Sequence, residues 1–382
     1  MSGSQGLRRS VALWLFLRLL SFPVAMLAFY IRYGKNAITS LTGLLLSPWY
    51  AWDVYYYVEI VRSGYRAGSP TANFHPLYPV MSKLLAVAVR DPLASLLIVS
   101  SVASLLLTIV FYRLARLDCN EEQSWQATAL LLTWPVSVAL LLPYTEALFL
   151  LLAVCSLLAI RRNQFLFATI AAVLATLTRQ QGLFLALPLV CEVWVSSDRR
   201  GRKLFKSAVA LASVAAAYGG WVLYRSVAIN DVHPDYSSVQ QFIHTVMISP
   251  SSYDITEHHE FLPPWSALWK AAMDFWHGDV MRNGYVDAAL AVVFIGLFAL
   301  SWRHLRMSYR VYCVAIILIS LSFYAGSIDP FIALPRHFLL AFPVFIGLAA
   351  RLRFKNFALP LALLILCQMA QLCSFVWKTW VP

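Results

Sequence analysis

Four polar positions stand out from an otherwise apolar sequence. Asp53 closes the run Trp49-Tyr50-Ala51-Trp52-Asp53 and is followed by Tyr55-Tyr56-Tyr57, Gly64-Tyr65 and Phe74-His75-Pro76-Leu77-Tyr78-Pro79. A carboxylate packed among aromatics is partly desolvated and so becomes a stronger base. Aromatic faces with polar rims suit sugars, which makes Trp52, His75 and Tyr78 candidate substrate contacts. The competing reading is an interfacial belt, where Trp and Tyr are ordinarily enriched. Glu146 follows Pro143-Tyr144-Thr145, with Tyr144 as a further candidate contact. An acid at such a depth is a functional candidate, or else it caps the helix that begins there. Arg179 precedes Gln180-Gln181-Gly182. Its guanidinium calls for an anionic partner, either Glu146 or a ligand phosphate. Arg336 and His337 follow Pro335 and suit a phosphate or a sugar, or simple solvation at a membrane rim. Arg18 interrupts the first apolar run, where snorkelling or contact with a lipid phosphate accounts for a cation. His233, His244, His258, His259 and His277 show no metal-ligand spacing, so no metal site is expected.

These residues are positioned by a membrane. The chain has 382 residues, 60% hydrophobic and 13% charged, with a mean hydropathy of +0.68. Soluble domains are nearer half apolar and a quarter charged, which excludes a soluble enzyme, a disordered chain and a disulfide-rich scaffold. The net charge of +12 does not point to nucleic acid, because Lys and Arg cluster between apolar runs, at Arg161-Arg162, Arg199 to Lys203, Arg303 to Arg310 and Arg351 to Lys355. Such clusters mark cytoplasmic loops. Six cysteines form no CxxC pair, and neither a zinc site nor a disulfide frame is expected. The N-terminal stretch Val11 to Ile31 is long enough to span and lacks a small-residue cleavage site, so it reads as an uncleaved first helix.

Spans then fall at Leu93 to Leu114, Ser207 to Ile229, Val286 to Trp302, Val311 to Ile328, Arg336 to Ala350 and Phe357 to Trp377. The stretches Glu122 to Arg161 and Asn163 to Asp198 have cytoplasmic ends on both sides. As one helix the first would reach about 60 Å, twice a bilayer core. Each must be two short crossings, turning at Pro143 to Glu146 and at Thr178 to Gly182. The expectation is an all-α polytopic membrane protein of about eleven helices, with a first outer loop over residues 32–92 and a second over 230–285. Asp53, Glu146, Arg179 and Arg336 all land at the outer surface of this topology.

The same residues carry a family resemblance. Trp52-Asp53, Gly64-Tyr65 and Phe74-His75-Pro76-Leu77-Tyr78-Pro79 resemble the first-loop motifs of the PIG-V family, that is, GPI mannosyltransferase 2 and its bacterial relatives. Pro143-Tyr144-Thr145-Glu146-Ala147-Leu148-Phe149, Ala175 to Gly182, and Leu334-Pro335-Arg336-His337-Phe338 with Phe342-Pro343 are similar to later motifs in family order, as are Pro263-Pro264-Trp265 and Arg18. The resemblance covers nearly the whole chain. His75, Gln180-Gln181 and His337 depart from it, where the family has an aromatic, Ser-Asn and Tyr.

This resemblance implies a single GT-C-like membrane domain over residues 1–382, with extracytoplasmic loops bearing the active site. It implies a glycosyltransferase that takes mannose from a polyprenyl-phosphate donor and passes it to a glycolipid or glycan acceptor. Asp53 takes the place of the family's essential acid, Glu146 of the second acid and Arg179 of the third motif's arginine. Asp53 would be the general base of an inverting transfer, while Arg179, Arg336 and His337 hold the donor phosphate. No organic cofactor is implied, and a divalent ion is left open. The lack of the longer eukaryotic loops favours a bacterial plasma membrane with the site outside, the alternative being an endoplasmic reticulum membrane with a lumenal site. Two other readings stand beside it: the same chemistry with another lipid-linked sugar, and a lipid or sugar flippase, which would also carry polar residues within spans.

Overall fold

The computed structural model describes residues 4–37, 40–229, 260–352 and 356–379. Residues 230–259 of the expected second outer loop, with His233, His244, His258 and His259, lie outside the described residues. The chain is an all-α polytopic membrane fold. Its helices are α1 (Ser4–Tyr33), α2 (Leu41–Leu46), α3 (Asp53–Ser63), α4 (Leu77–Val89), α5 (Pro92–Ala115), α6 (Glu121–Thr133), α7 (Glu146–Arg161), α8 (Phe165–Thr176), α9 (Ala186–Val195) and α10 (Arg200–Tyr224). They continue with α11 (Pro264–His277), α12 (Arg282–Ser301), α13 (Met307–Ser320), α14 (Leu334–Leu339), α15 (Pro343–Leu352) and α16 (Ala358–Val376). A short antiparallel pairing of β1 (Glu260–Phe261) with β2 (Phe323–Tyr324) sets Glu260 opposite Tyr324.

Among the described residues five helical stretches are long and apolar enough to cross a membrane: Gln5–Tyr33, Pro92–Ala115, Arg200–Ile229, Arg282–His304 and Ala358–Val376. Five further apolar helices are shorter, Leu77–Val89, Phe165–Thr176, Gln180–Val195, Met307–Ser320 and Pro343–Leu352. The hydropathy pattern thus locates apolar stretches, while several are broken in ways it does not register. The arm from Glu122 towards Pro143 is helical only to Thr133, because Pro135 forces Trp134 into an extended conformation (φ −50°, ψ 137°). A 3-10 turn over Pro135–Leu140 follows. The expected span Arg336 to Ala350 is two pieces, α14 and α15, interrupted before Pro343, whose ring removes a donor and clashes with a preceding turn. The expected span Val311 to Ile328 stops as a helix at Ser320 and turns into β2. The first loop is itself largely helical, through α2, α3 and α4.

Broken backbone inside a bilayer needs donors from elsewhere. Here side chains supply them. Ser137 Oγ donates to the Leu131 carbonyl at 2.6 Å, Gln368 Nε2 to Leu132 at 2.9 Å, and Arg18 Nη1 to Leu141 at 2.7 Å. Arg18 is 6% exposed, so it reaches inward across the bundle instead of snorkelling. The core lies around α6, the 134–145 segment and α7, which packs against both α5 and α8. Ser156 on α7 ties to the Ala168 carbonyl on α8 at 2.8 Å. At the far end from Asp53, Arg161 grips Asp118 through two hydrogen bonds of 2.8 and 3.0 Å and takes Tyr309 into the same knot.

Candidate active site

Asp53 enters the site through an unusual turn. The 3-10 turn Ser47–Trp49 leads to Trp52, whose φ of 56° and ψ of −133° are strained for a residue with a Cβ. Asp53 then opens α3, where a carboxylate is favoured by the helix dipole. Arg336 enters by a parallel device, since Ala333 sits at φ 59° in the left-handed region and Pro335 stands in the first turn of α14. Both strained residues stand one to three positions before a charged site residue, where such strain clusters in proteins.

Charges from four distant segments meet in a chain. Arg336 Nη1 donates to Asp53 Oδ2 at 3.1 Å. Its Nε lies 3.3 Å from Glu146 Oε1, an ion pair without good hydrogen-bond alignment. Arg179 Nη1 donates to the same Oε1 at 2.6 Å and to Thr145 Oγ1 at 2.8 Å. The Arg336 guanidinium also lies 4.9 Å over the Tyr144 ring. The side chains of Glu146, Arg336 and Arg179 are 1%, 9% and 13% exposed, whereas Asp53 is 32% exposed. Asp53 is therefore the member of the chain that an incoming hydroxyl can reach. Trp52 Nε1, the Tyr144 hydroxyl, Glu146 Oε2 and the Nε atoms of Arg179 and Arg336 are buried without a hydrogen-bond partner among the described residues. Buried polar atoms are ordinarily satisfied, so five spare ones around one chain of charges mark a place equipped for a polar ligand.

The other sequence candidates are placed less directly. His75 Nδ1 lies 2.9 Å from the Thr176 carbonyl, so that nitrogen carries the proton. Its ring packs against Tyr218 and Trp221. Burial, with Arg225 and Arg179 nearby, pulls His75 down to about 3 and keeps it neutral. Tyr78 is fully buried and gives its hydroxyl to the Leu96 carbonyl at 2.9 Å. These two sit behind the site as supports. Leu77 N donates to the Leu177 carbonyl at 2.9 Å, so the Phe74 to Pro79 stretch clamps the turn that carries Arg179. Gln180 and Gln181 begin the 3-10 turn after Arg179, the first half-buried and the second buried. His337 follows Arg336 on α14 and is half-buried. Thr145 and Tyr57 were not singled out from sequence, yet Tyr57 donates to Thr145 at 3.5 Å and Thr145 receives Arg179. The available signals were adjacency to Glu146 and an i, i+4 spacing from Asp53. Among the described residues no three His, Cys, Asp or Glu side chains group as metal ligands.

Gly182 shows how tightly the Arg179 turn is held. A Cβ there would lie 2.3 Å from Thr176 N and 2.4 Å from Thr176 Cα, both backbone atoms of α8. Gly182→Ala is expected to destabilise the protein by about 1–3 kcal/mol or more, as overpacking against backbone does. Thermal unfolding in detergent checks this; an unchanged melting temperature would mean the turn is free to shift.

The loop leading to Arg336 carries a pH-sensitive group. Asp329 Oδ1 is buried without a hydrogen-bond partner among the described residues, and burial pushes this carboxyl up to about 6 from 3.8. The folded chain thus holds this proton more tightly than the unfolded one. Its contribution to stability is present near pH 4 and is lost as pH rises through about 6. Asp329→Asn is expected to flatten that part of the melting-temperature profile, and a profile identical to wild type would refute the assignment.

An all-α membrane bundle gathering acids, arginines and aromatics at one end is the class these observations define. The sequence profile of glycosyltransferase family 87 matches residues 76–327, well over half of the chain, and the chain belongs to that family. It is an integral membrane protein of a glycosyltransferase family. Glu146 and Arg179 lie within the matched residues, Asp53 and Arg336 outside them. No curated protein matches the sequence. Among solved structures the chain is similar to the oligosaccharyltransferase of Archaeoglobus fulgidus in its apo form, at 13% identity and a TM-score of 0.49, over 96% of this chain and 56% of that one. It is also similar to the Archaeoglobus fulgidus oligosaccharyltransferase AglB in complex with an inhibitory peptide and a dolichol-phosphate, at 13% identity and a TM-score of 0.43, over 96% and 56% of the two chains. The chain spans little more than half the length of these structures.

Proposed function

We propose that this protein is a GT-C-type enzyme that transfers mannose from a polyprenyl-phosphate-mannose donor to a glycolipid or glycan acceptor on the extracytoplasmic face. Asp53 removes the proton from the acceptor hydroxyl, whose oxygen attacks the anomeric carbon from the side opposite the phosphate. The bond from that carbon to the phosphate oxygen breaks, its electron pair leaves with the polyprenyl phosphate, and the configuration inverts. A phosphate needs no general acid to depart, only stabilisation of its charge, which buried guanidiniums supply well. Arg336 and Arg179, with spare N–H groups, fill that role, His337 adjoins them, and Trp52 and Tyr144 line the sugar. Tyr78, His75, Gln180 and Gln181 support the pocket from behind.

The observation that carries this reading is the reachable carboxylate of the chain of charges, Asp53, coupled through Arg336 to a buried acid and a second arginine. Mannose as the sugar rests on the ordered likeness of the motifs to those of PIG-V enzymes. Purified protein supplied separately with polyprenyl-phosphate mannose, glucose or arabinose, and with membrane glycolipid extract, tests it. Mass spectrometry is expected to find one hexose added from the mannose donor alone. Product from glucose or arabinose only would move the reading to another lipid-linked sugar. Vesicle uptake without any product would replace it with a transporter.

A further inference from the structure

A cavity lies at the same end of the bundle as the acid–arginine chain, on another side of α3. It measures about 530 Å³ and is framed by the ends of α1, α5 and α16, with α2 and the Ser47–Trp49 turn as its cover. Its floor is apolar, from Phe29, Leu93 and Val376, and its rim carries Arg62 and Lys378. The floor is locked, because Tyr33 donates to the Val376 carbonyl at 3.3 Å and Trp377 Nε1 to the Ala28 carbonyl at 2.8 Å. Lys378 is fixed over the Tyr55 ring at 5.1 Å and bonds the Tyr55 hydroxyl. Arg62 is exposed on this rim. One carboxylate, Asp91, also borders the cleft, but its Oδ1 is committed to the Ala94 amide at 2.7 Å as the cap of α5.

We infer that this cleft binds the phosphate headgroup of an anionic phospholipid. Three observations favour a lipid over a soluble anion. The cleft sits where three membrane-crossing helices end, which is headgroup depth. Tyr33 and Tyr50 stand at its edge, side chains suited to an interface. Helix α2 buries none of its residues and leaves Leu41 72% exposed, an apolar surface continuous with the cleft that acyl chains would cover. The volume falls within the range of small-molecule pockets, and two cations against one engaged carboxylate set the sign of the headgroup. The site is separate from the acid–arginine chain, since Val58 and Arg62 line the cleft while Asp53 faces Arg336. At about 100° per residue, Val58 points roughly 140° away from Asp53 around α3.

The test uses the full chain, delipidated in detergent and then offered phosphatidylglycerol or phosphatidylcholine with the same acyl chains. Native mass spectrometry is expected to show one retained phosphatidylglycerol, and the melting temperature to rise with it and not with phosphatidylcholine. The Arg62→Gln/Lys378→Gln variant is expected to lose about tenfold or more in that affinity, the factor two basic side chains near a membrane supply. The Arg66→Gln/Lys83→Gln variant, with equal charge removed elsewhere, should retain it. Equal retention of both lipids by wild type, or undiminished phosphatidylglycerol binding in the first variant, would overturn the inference. So would displacement of phosphatidylglycerol by inorganic phosphate, which would make this a soluble-anion site, or by a short polyprenyl phosphate, which would assign the cleft to the donor. Since every readout is binding, the result stands apart from whether mannose is the sugar transferred.

Discussion

Asp53→Asn is expected to lower sugar transfer by about 10²–10⁴-fold, the range lost with a positioned general base, while the protein keeps its fold. Asn has nearly the same shape and can still accept from Arg336 Nη1, now 3.1 Å from the carboxylate. Arg336 keeps its ion pair with Glu146 at 3.3 Å and Arg179 keeps its own at 2.6 Å, so each guanidinium retains a contacting carboxylate. Because Asp53 is 32% exposed, the exchange is made at the accessible end of the chain of charges. The measurement is initial rate against donor concentration, together with thermal unfolding. A variant with wild-type rate and wild-type melting would remove Asp53 from the mechanism.

Glu146→Gln is expected to act oppositely, damaging stability first. Its carboxylate is 1% exposed and receives both Arg179 and Arg336. Without it two guanidiniums share a buried site with only Asp53 to balance them. Removing one partner of a buried pair destabilises by about 3–5 kcal/mol, and the melting temperature should fall accordingly. Replacing Arg179 as well, in Glu146→Gln/Arg179→Gln, restores the charge balance and should recover much of the stability without recovering transfer. Equal melting for the single variant and wild type would show that water reaches these arginines far more freely than their burial indicates.

Much of the scaffold is legible in the sequence because hydropathy sums along a window. The spans at α1, α5, α10, α12 and α16, and the turns at Pro143 to Glu146 and Thr178 to Gly182, follow from length and apolar content. The breaks are not legible in this way. Hydropathy does not distinguish an α-helix from the 3-10 turn Pro135–Leu140 or from the interruption ahead of Pro343, although both prolines are visible signals. At the site, the Arg179–Glu146 contact was one of two partners expected for that arginine. The Arg336–Asp53 contact was not expected, because nothing local links residues so far apart. His75 and Tyr78 illustrate a different limit. Their types suit substrate contact, and only three-dimensional packing reveals that each gives its polar atom to a backbone carbonyl.

The two acids also differ in when they meet their partners. Glu146 and Arg179 are separated by 33 positions, Asp53 and Arg336 by 283. As the chain is made from its N-terminus, the acid that will be most deeply enclosed gains its counter-charge as soon as the following hairpin forms. The acid left open to water waits for a residue 283 positions further on, and it can wait because it stays hydrated. The order of synthesis therefore supplies Glu146 with a nearby cation early, and the Asp53 end of the chain of charges is the later of the two to be completed.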